Sequence, residues 1–200
     1  AQGVEMQPKP FSMGVRIEHR QADIDRAQYG DFAGHPALGA ADYKLACHPE
    51  HGRGAYTFCM CPGGTVVNAA SEEGGVVVNG MSSYARNGRN SNSAVAVSVN
   101  REDYGNTVMG AINFQRGIER AAFRAGGSDY FVPVQTVGDF LADKTGTEPK
   151  RVIPTYMNGK YRTANLAEVL PNFVVSMLKD GLSAFDRRIA GFAASDAVLS

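Results

Sequence analysis

No apolar run in this 200-residue sequence approaches the roughly 20 residues that a helix needs to span a bilayer. A membrane-spanning helix is therefore not expected. Net charge is absent too: twenty Lys and Arg offset twenty Asp and Glu, and no block of like charge is long enough to serve as a nucleic-acid arm or an anionic-membrane patch. Neither nucleic acid nor membrane is an expected partner. The opening AQGVEMQPKPF lacks the basic-then-apolar order of a secretory signal, so a cytoplasmic setting is expected. There is no G-x-G-x-x-G, G-x-x-x-x-G-K-[ST], G-x-S-x-G or H-E-x-x-H anywhere, which argues against a self-contained dinucleotide, nucleotide or hydrolase site. Cysteine is scarce, with three residues confined to positions 47–61.

What is present is enough to build a core. Hydrophobic residues make up 44% of the chain, and a domain of this length can bury about 70% of its unfolded surface without a metal or disulfide. Twenty-three glycines, above the average of about 7%, are interleaved with aliphatic and aromatic residues, so they predict many turns rather than disorder.

Two kinds of periodicity follow one another. Met13 to His19 alternates apolar with polar, and Tyr56–Cys61, Thr65–Val67, Val76–Val78 and Ala94–Val99 are rich in strand formers bounded by Gly, Asn and Ser. Val67 to Val76 reads as a hairpin, and a short helix over Ile24–Tyr29 entered through Asp23 interrupts the strands. After residue 105 the period lengthens. Phe114, Ile118, Ala121, Ala122 and Ala125 lie at helical spacing and stop at Gly126-Gly127. Thr136-x-x-Asp139 opens a shorter helix. Asn165-x-x-Glu168 resembles a capping box ahead of one long stripe, Val174, Leu178, Leu182, Phe185, Ile189 and Phe192, with Pro171 in its first turn. The spacing predicts an α+β fold, with a β-rich, barrel-like unit over 1–104 and a helical unit over 105–200.

Cys59-Met-Cys61 puts two thiols two residues apart on a strand, with Cys47, His48 and His51 nearby. A C-x-C pair on an extended strand is a poor zinc chelate and fits disulfide geometry badly, so no metal site is expected. Small buried cysteines and a non-metal role beside a ligand both stay open. The turns Pro62-Gly63-Gly64 and Asn79-Gly80-Met81 would let the backbone approach an anion, a carbonyl or a flat ring, or serve only as turns. Arg86 to Ser93 is donor-rich and reads as a loop suited to solvent or to a polar ligand.

Phe58-Cys-Met-Cys-Pro-Gly-Gly-Thr-Val-Val67, followed by Val78-Asn-Gly-Met-Ser82 and Arg89-Asn-Ser-Asn-Ser-Ala94, resembles the bacterial family of uncharacterised FAD-dependent dehydrogenases. Arg16-Ile-Glu-His-Arg-Gln21, Gln28-Tyr-Gly30, Leu38 to Leu45 and Phe114-Gln-Arg-x-x-Glu119 look like further blocks in the same order. The resemblance implies the middle, substrate-side insert of a longer oxidoreductase. Its FAD would be held by flanking segments of the same polypeptide, and one wall of the pocket for flavin and an unidentified small-molecule substrate would come from this chain. An excised piece is also what Ala1 in place of Met and the apolar closing stretch GFAASDAVLS suggest. Hydride transfer to the flavin would be the chemistry. Cys59, Cys61, Pro62, Gly63, Gly64, Asn79, Gly80, Met81, Arg89 and Asn92 are the expected pocket or cofactor-contacting residues. No residue stands out as a catalytic base, and the isolated chain is not expected to hold FAD or to be active. A stand-alone α+β binding or interaction module, using the loop from Arg86 to Ser93, is the alternative from another class.

Overall fold

The computed structural model describes residues 2–48 and 53–200, so His51 lies outside the described residues. The main elements are β1 (Phe11–Arg20), α1 (Gln21–Tyr29), β2 (Ala46–Cys47), β3 (Ala55–Cys61), β4 (Gly64–Asn68), β5 (Val78–Ser82) and β6 (Asn90–Val99), followed by α2 (Val108–Ala125), β7 (Val132–Thr136), α3 (Val137–Leu141), β8 (Tyr161–Thr163), α4 (Asn172–Asp186) and β9 (Val198–Leu199). The fold is α+β. Seven strands form one open sheet in the order β2-β3-β6-β1-β9-β7-β8, and β4 pairs only with β5. The expected hairpin is therefore present, with strands at Gly64–Asn68 and Val78–Ser82 and a loop that includes Val76 and Val77.

The centre of the sheet is the antiparallel ladder of β1 on β6, which runs from Phe11 opposite Val99 to Arg20 opposite Asn90. Side chains alternate across it. Val15 and Ile17 of β1 and Val95 and Val97 of β6 face α4 in the larger core. Gly14, Arg16 and Glu18, with Asn92, Ala94 and Ala96 opposite them, face the other way. A second, smaller cluster of Val66, Val76, Val132, Val134, Val152, Tyr156 and Val198 closes part of that second face.

The stretch after residue 105 is not only helical. It also supplies β7, β8 and β9, and β9 inserts between β1 and β7, so strands from both sides of residue 104 share one sheet. Short strands of two to five residues flanked by helices carry too little period-two signal to be seen in sequence.

The long apolar stripe is buried as its spacing implies: Val174, Leu178, Leu182 and Phe185 are fully buried. The helix is shorter than the stripe, because α4 ends at Asp186 and Ile189 and Phe192 continue it from the following turns. Pro171 is the N-cap rather than a first-turn residue, and Asn165 caps a single 3-10 turn, Leu166–Glu168, ahead of α4. Thr136 caps α3 as expected, accepting from the Asp139 N–H. The first helix begins three residues early, at Gln21, which leaves Asp23 inside its first turn. Helix α2 ends at Gly126, but of its eighteen residues only Glu119 is buried, so its apolar side is only half covered.

Candidate functional site

The second face of the sheet has two parts. Toward the Asn90 end of β6 it is polar. Arg16, 3% exposed, donates from Nε to Asn92 Oδ1 at 2.6 Å, from Nη1 to Asn79 Oδ1 at 3.2 Å, and from Nη2 to the Cys59 carbonyl and toward Cys61 Sγ at 3.5 Å. Every one of these partners is neutral, and among the described residues no carboxylate lies within ion-pair distance of Arg16.

Glu18, one pleat along and equally buried, accepts from Asn90 Nδ2 at 3.0 Å, Thr155 Oγ1 at 2.7 Å and the Thr155 N–H at 3.1 Å. Burial raises its carboxyl above the usual carboxylate range, opposed by those hydrogen bonds and by the charge of Arg16. His19 faces the other core. Its Nε2 lies 2.7 Å from the Phe192 carbonyl, which makes it the protonated nitrogen, and desolvation keeps the ring neutral to lower pH than usual.

Toward the other end of the sheet this face is a trough. Cross-strand rows put Ala94 between Phe58 and Arg16, and Ala96 between Tyr56 and Gly14. The small central side chains leave space that α2 spans without filling. The result is a cavity of about 530 Å³ whose α2 side is formed by Gln115, Ile118, Glu119 and Ala122. Its lining is mostly apolar, and Arg16 belongs to it.

Five of the expected residues come together around Arg16. Cys61 and Asn92 are paired across β3 and β6, and Asn79 and the Cys59 carbonyl accept from the guanidinium. Gly80 lies against it, in mid-strand: Asn79-Gly80-Met81 is not the expected turn but part of β5, held by pairing with Thr65–Val67 of β4. A Cβ at Gly80 would fall 2.2 Å from both Arg16 Nη2 and Asn92 Oδ1, so glycine is required there by the chain's own arginine.

The Pro62-Gly63-Gly64 turn is likewise closed by the protein. Gly63 has φ +52°, a Cβ there would lie 2.1 Å from the Arg86 carbonyl, and its N–H donates to Gln21 Oε1 at 2.7 Å. The Pro62 carbonyl accepts from Ser82 Oγ, and Gly64 is paired with Ser82 in the hairpin. Met81 points outward, 60% exposed, and Arg89 reaches away to the Arg151 carbonyl.

The expected loop from Arg86 to Ser93 is half strand. Asn90 to Ser93 belong to β6 and are buried, with Ser93 bonded to the Tyr43 hydroxyl, which leaves only Arg86 to Arg89 as surface donors. The polar run is strand because each residue finds a cross-strand partner in β1.

The two thiols are less alike than strand alternation implies. A register break between Phe58 and Cys61 turns Cys59 to φ +47° and out into solvent, while Cys61 stays buried with its sulfur 4.0 Å away. Burial raises the Cys61 thiol, and the Arg16 charge opposes that rise. Cys47 packs partly buried against the larger core. No group of three or more His, Cys, Asp or Glu converges among the described residues.

Arg16, Glu18, Gln21, Thr155 and the trough were not among the sequence candidates. The available signal was alternation in β1, where two charged residues share one face of a strand that is apolar on the other.

An α+β domain with a buried guanidinium, hydrogen-bonded only to neutral groups, beside an apolar trough is the class that the geometry defines. The chain belongs to the family described as FAD-dependent protein, C-terminal domain-like, which it matches over residues 10–200. It is also 49% identical over 201 residues to a protein of Clostridium beijerinckii described as uncharacterized, across 100% of this chain and 38% of that relative. The chain thus spans well under half of that relative's length. The family's description gives a C-terminal position, whereas the resemblance implied a middle insert. No described helix is long and apolar enough to cross a membrane.

Proposed function

We propose that this domain closes one side of the flavin and substrate pocket of a longer, cytoplasmic FAD-dependent dehydrogenase, with its partner the flavin-holding part of the same polypeptide. The described residues do not fit a whole dinucleotide. The space over Gly80 in β5 is filled by Arg16 and that over the Pro62–Gly64 turn by the Arg86–Gly88 backbone, so a pyrophosphate finds no cradle in either. They do fit a wall. The observation that carries this reading is Phe58, which lines the trough and is 66% exposed, with Met81 60% exposed on β5, the strand that packs beside β3. Large apolar side chains left in water beside a cavity mark a surface that something covers.

In this reading the bound isoalloxazine supplies hydride acceptance. The chain's own residues exclude water with Phe58 and Met81 and set the local field with Arg16. The test is a polypeptide extended to the length of the Clostridium relative, purified with and without Phe58→Ser and Met81→Ser. The parent is expected to carry about one FAD per chain, and the double variant to lose flavin or to shift its visible absorbance while the domain's melting point stays put. A flavin-free parent, or identical spectra and hydride-transfer rates for the two proteins, would refute it.

A further inference from the structure

The trough has a composition that selects among ligands. Its walls are apolar apart from a few groups, with Arg16 the only cation in its lining among the described residues and Glu119, Gln115, Ser12 and Ser200 among the polar remainder. A cavity of about 530 Å³ lies in the size range of small-molecule pockets, about 300–1,000 Å³. Arg16 is buried, and it is satisfied in hydrogen bonds more nearly than in charge. All four of its contacts are to neutral oxygens or sulfur, and one Nη1 N–H has no partner among the described residues. A buried cation with no carboxylate in ion-pair distance among the described residues is costly, and its spare N–H is what an anion would use.

Charge also fixes how much anion fits. One guanidinium compensates one negative charge. Glu119, which accepts from Gln115 Nε2 at 2.7 Å on the α2 side, adds a negative group to the same cavity and opposes a second charge on the ligand. Glu18, the other carboxylate near Arg16, is occupied by Asn90 and Thr155. We propose that this cavity binds an apolar monocarboxylate, its carboxylate paired with Arg16 and its hydrocarbon body lying over Gly14, Ala94 and Ala96 beneath α2. That this anion is the substrate of the flavin reaction rests on the function proposed above. The binding site itself does not, because every residue it invokes lies in this chain.

The test is calorimetric titration of the flavin-free chain with three probes of one chain length: decanoate, decanol and decyl phosphate. Decanoate is expected to bind at least tenfold more tightly than decanol and more tightly than the more highly charged decyl phosphate. Arg16→Gln should remove the preference for decanoate while keeping decanol binding. Ala96→Phe, which occupies the trough without touching the partners of Arg16, should weaken both at least fivefold. Should Arg16→Gln fail to fold, the three probes and Ala96→Phe still decide the matter. Equal affinities for decanoate and decanol, a preference that survives Arg16→Gln, tighter binding of decyl phosphate, or no binding of decanoate would each overturn the proposal. A flavin-free parent polypeptide would leave these results standing and would remove only the role of substrate.

Discussion

Leu178→Ala is the sharpest probe of how the helical part is held. Leu178 sits mid-way along α4 and is fully buried in the larger core with Val174, Leu182 and Phe185. Truncation to Ala removes three carbons, worth about 2.4 kcal/mol at about 0.8 kcal/mol each. It also leaves a void that adds about 1–2 kcal/mol if the neighbours do not collapse, at about 24 cal/mol per Å³. The sum, about 4 kcal/mol, is a large share of a total stability of about 5–15 kcal/mol. Melting should fall by about 8–16 °C, taking about 2–4 °C per kcal/mol for a chain of this size. The control is the next residue. Lys179 is not free in solvent as its phase alone implies: its Nζ pairs with Asp143 at 2.6 Å and lies over the Phe140 ring. The Asp143 side chain is 76% exposed, so Lys179→Ala should cost at most about 1 kcal/mol. Denaturant unfolding of the two variants reads the difference directly. Equal midpoints would show that the helical phase is wrong and that α4 does not bury this face.

Two further outcomes are expected. Gly80→Ala should destabilise by about 1–3 kcal/mol through overpacking, because its Cβ would fall 2.2 Å from the Arg16 guanidinium, whereas Gly39→Ala, with nothing within 4 Å, should be nearly silent. Equal melting of those two variants would remove the close approach from the account. His19 is buried and neutral with its pKa lowered from 6.5, so the unfolded chain takes up the proton first. Stability should fall as pH drops below about 6.5, by at most about 1.4 kcal/mol per pH unit. Glu18, with its pKa raised from 4.5, acts oppositely. Its contribution is complete below about 4.5 and is lost as pH rises through its folded value. Chemical unfolding across pH 4–8 of the wild type and of His19→Gln checks this, and an unchanged acid slope in the variant would refute the assignment to His19.

The larger elements were legible because each has a long, single-period pattern: ten residues of β1, the apolar run at the end of β6, and the stripe of α4. β7 and β9 were not, since five and two residues cannot establish a period and the sheet position of β9 is set by tertiary pairing alone. The residues around the site were partly visible. Cys61, Gly80 and Asn92 stand out in sequence by their types, yet the group that organises them, Arg16, looks in sequence like the polar half of an ordinary strand. Its burial depends on residues more than forty positions away, which no local window reports. The same holds for Asn90 to Ser93. Four consecutive polar residues favour a loop by composition, and only the partner strand makes them part of a sheet.

β9 joins what would otherwise be two separate ribbons. Strands β2, β3, β6 and β1 are one, β7 with β8 is the other, and Val198–Leu199 alone bridges them. The backbone of Ser200 exchanges both hydrogen bonds with that of Arg16, at 2.8 and 2.9 Å. Sequence-distant pairing of this kind is slow to form, because the loop must close before any contact rewards it. On a ribosome the seam cannot be sewn until residue 200 has emerged, so the polar cluster beside Arg16 stays open to water until β9 has been made. Until then two unpaired strand edges, one on β1 and one on β7, stand open to other chains.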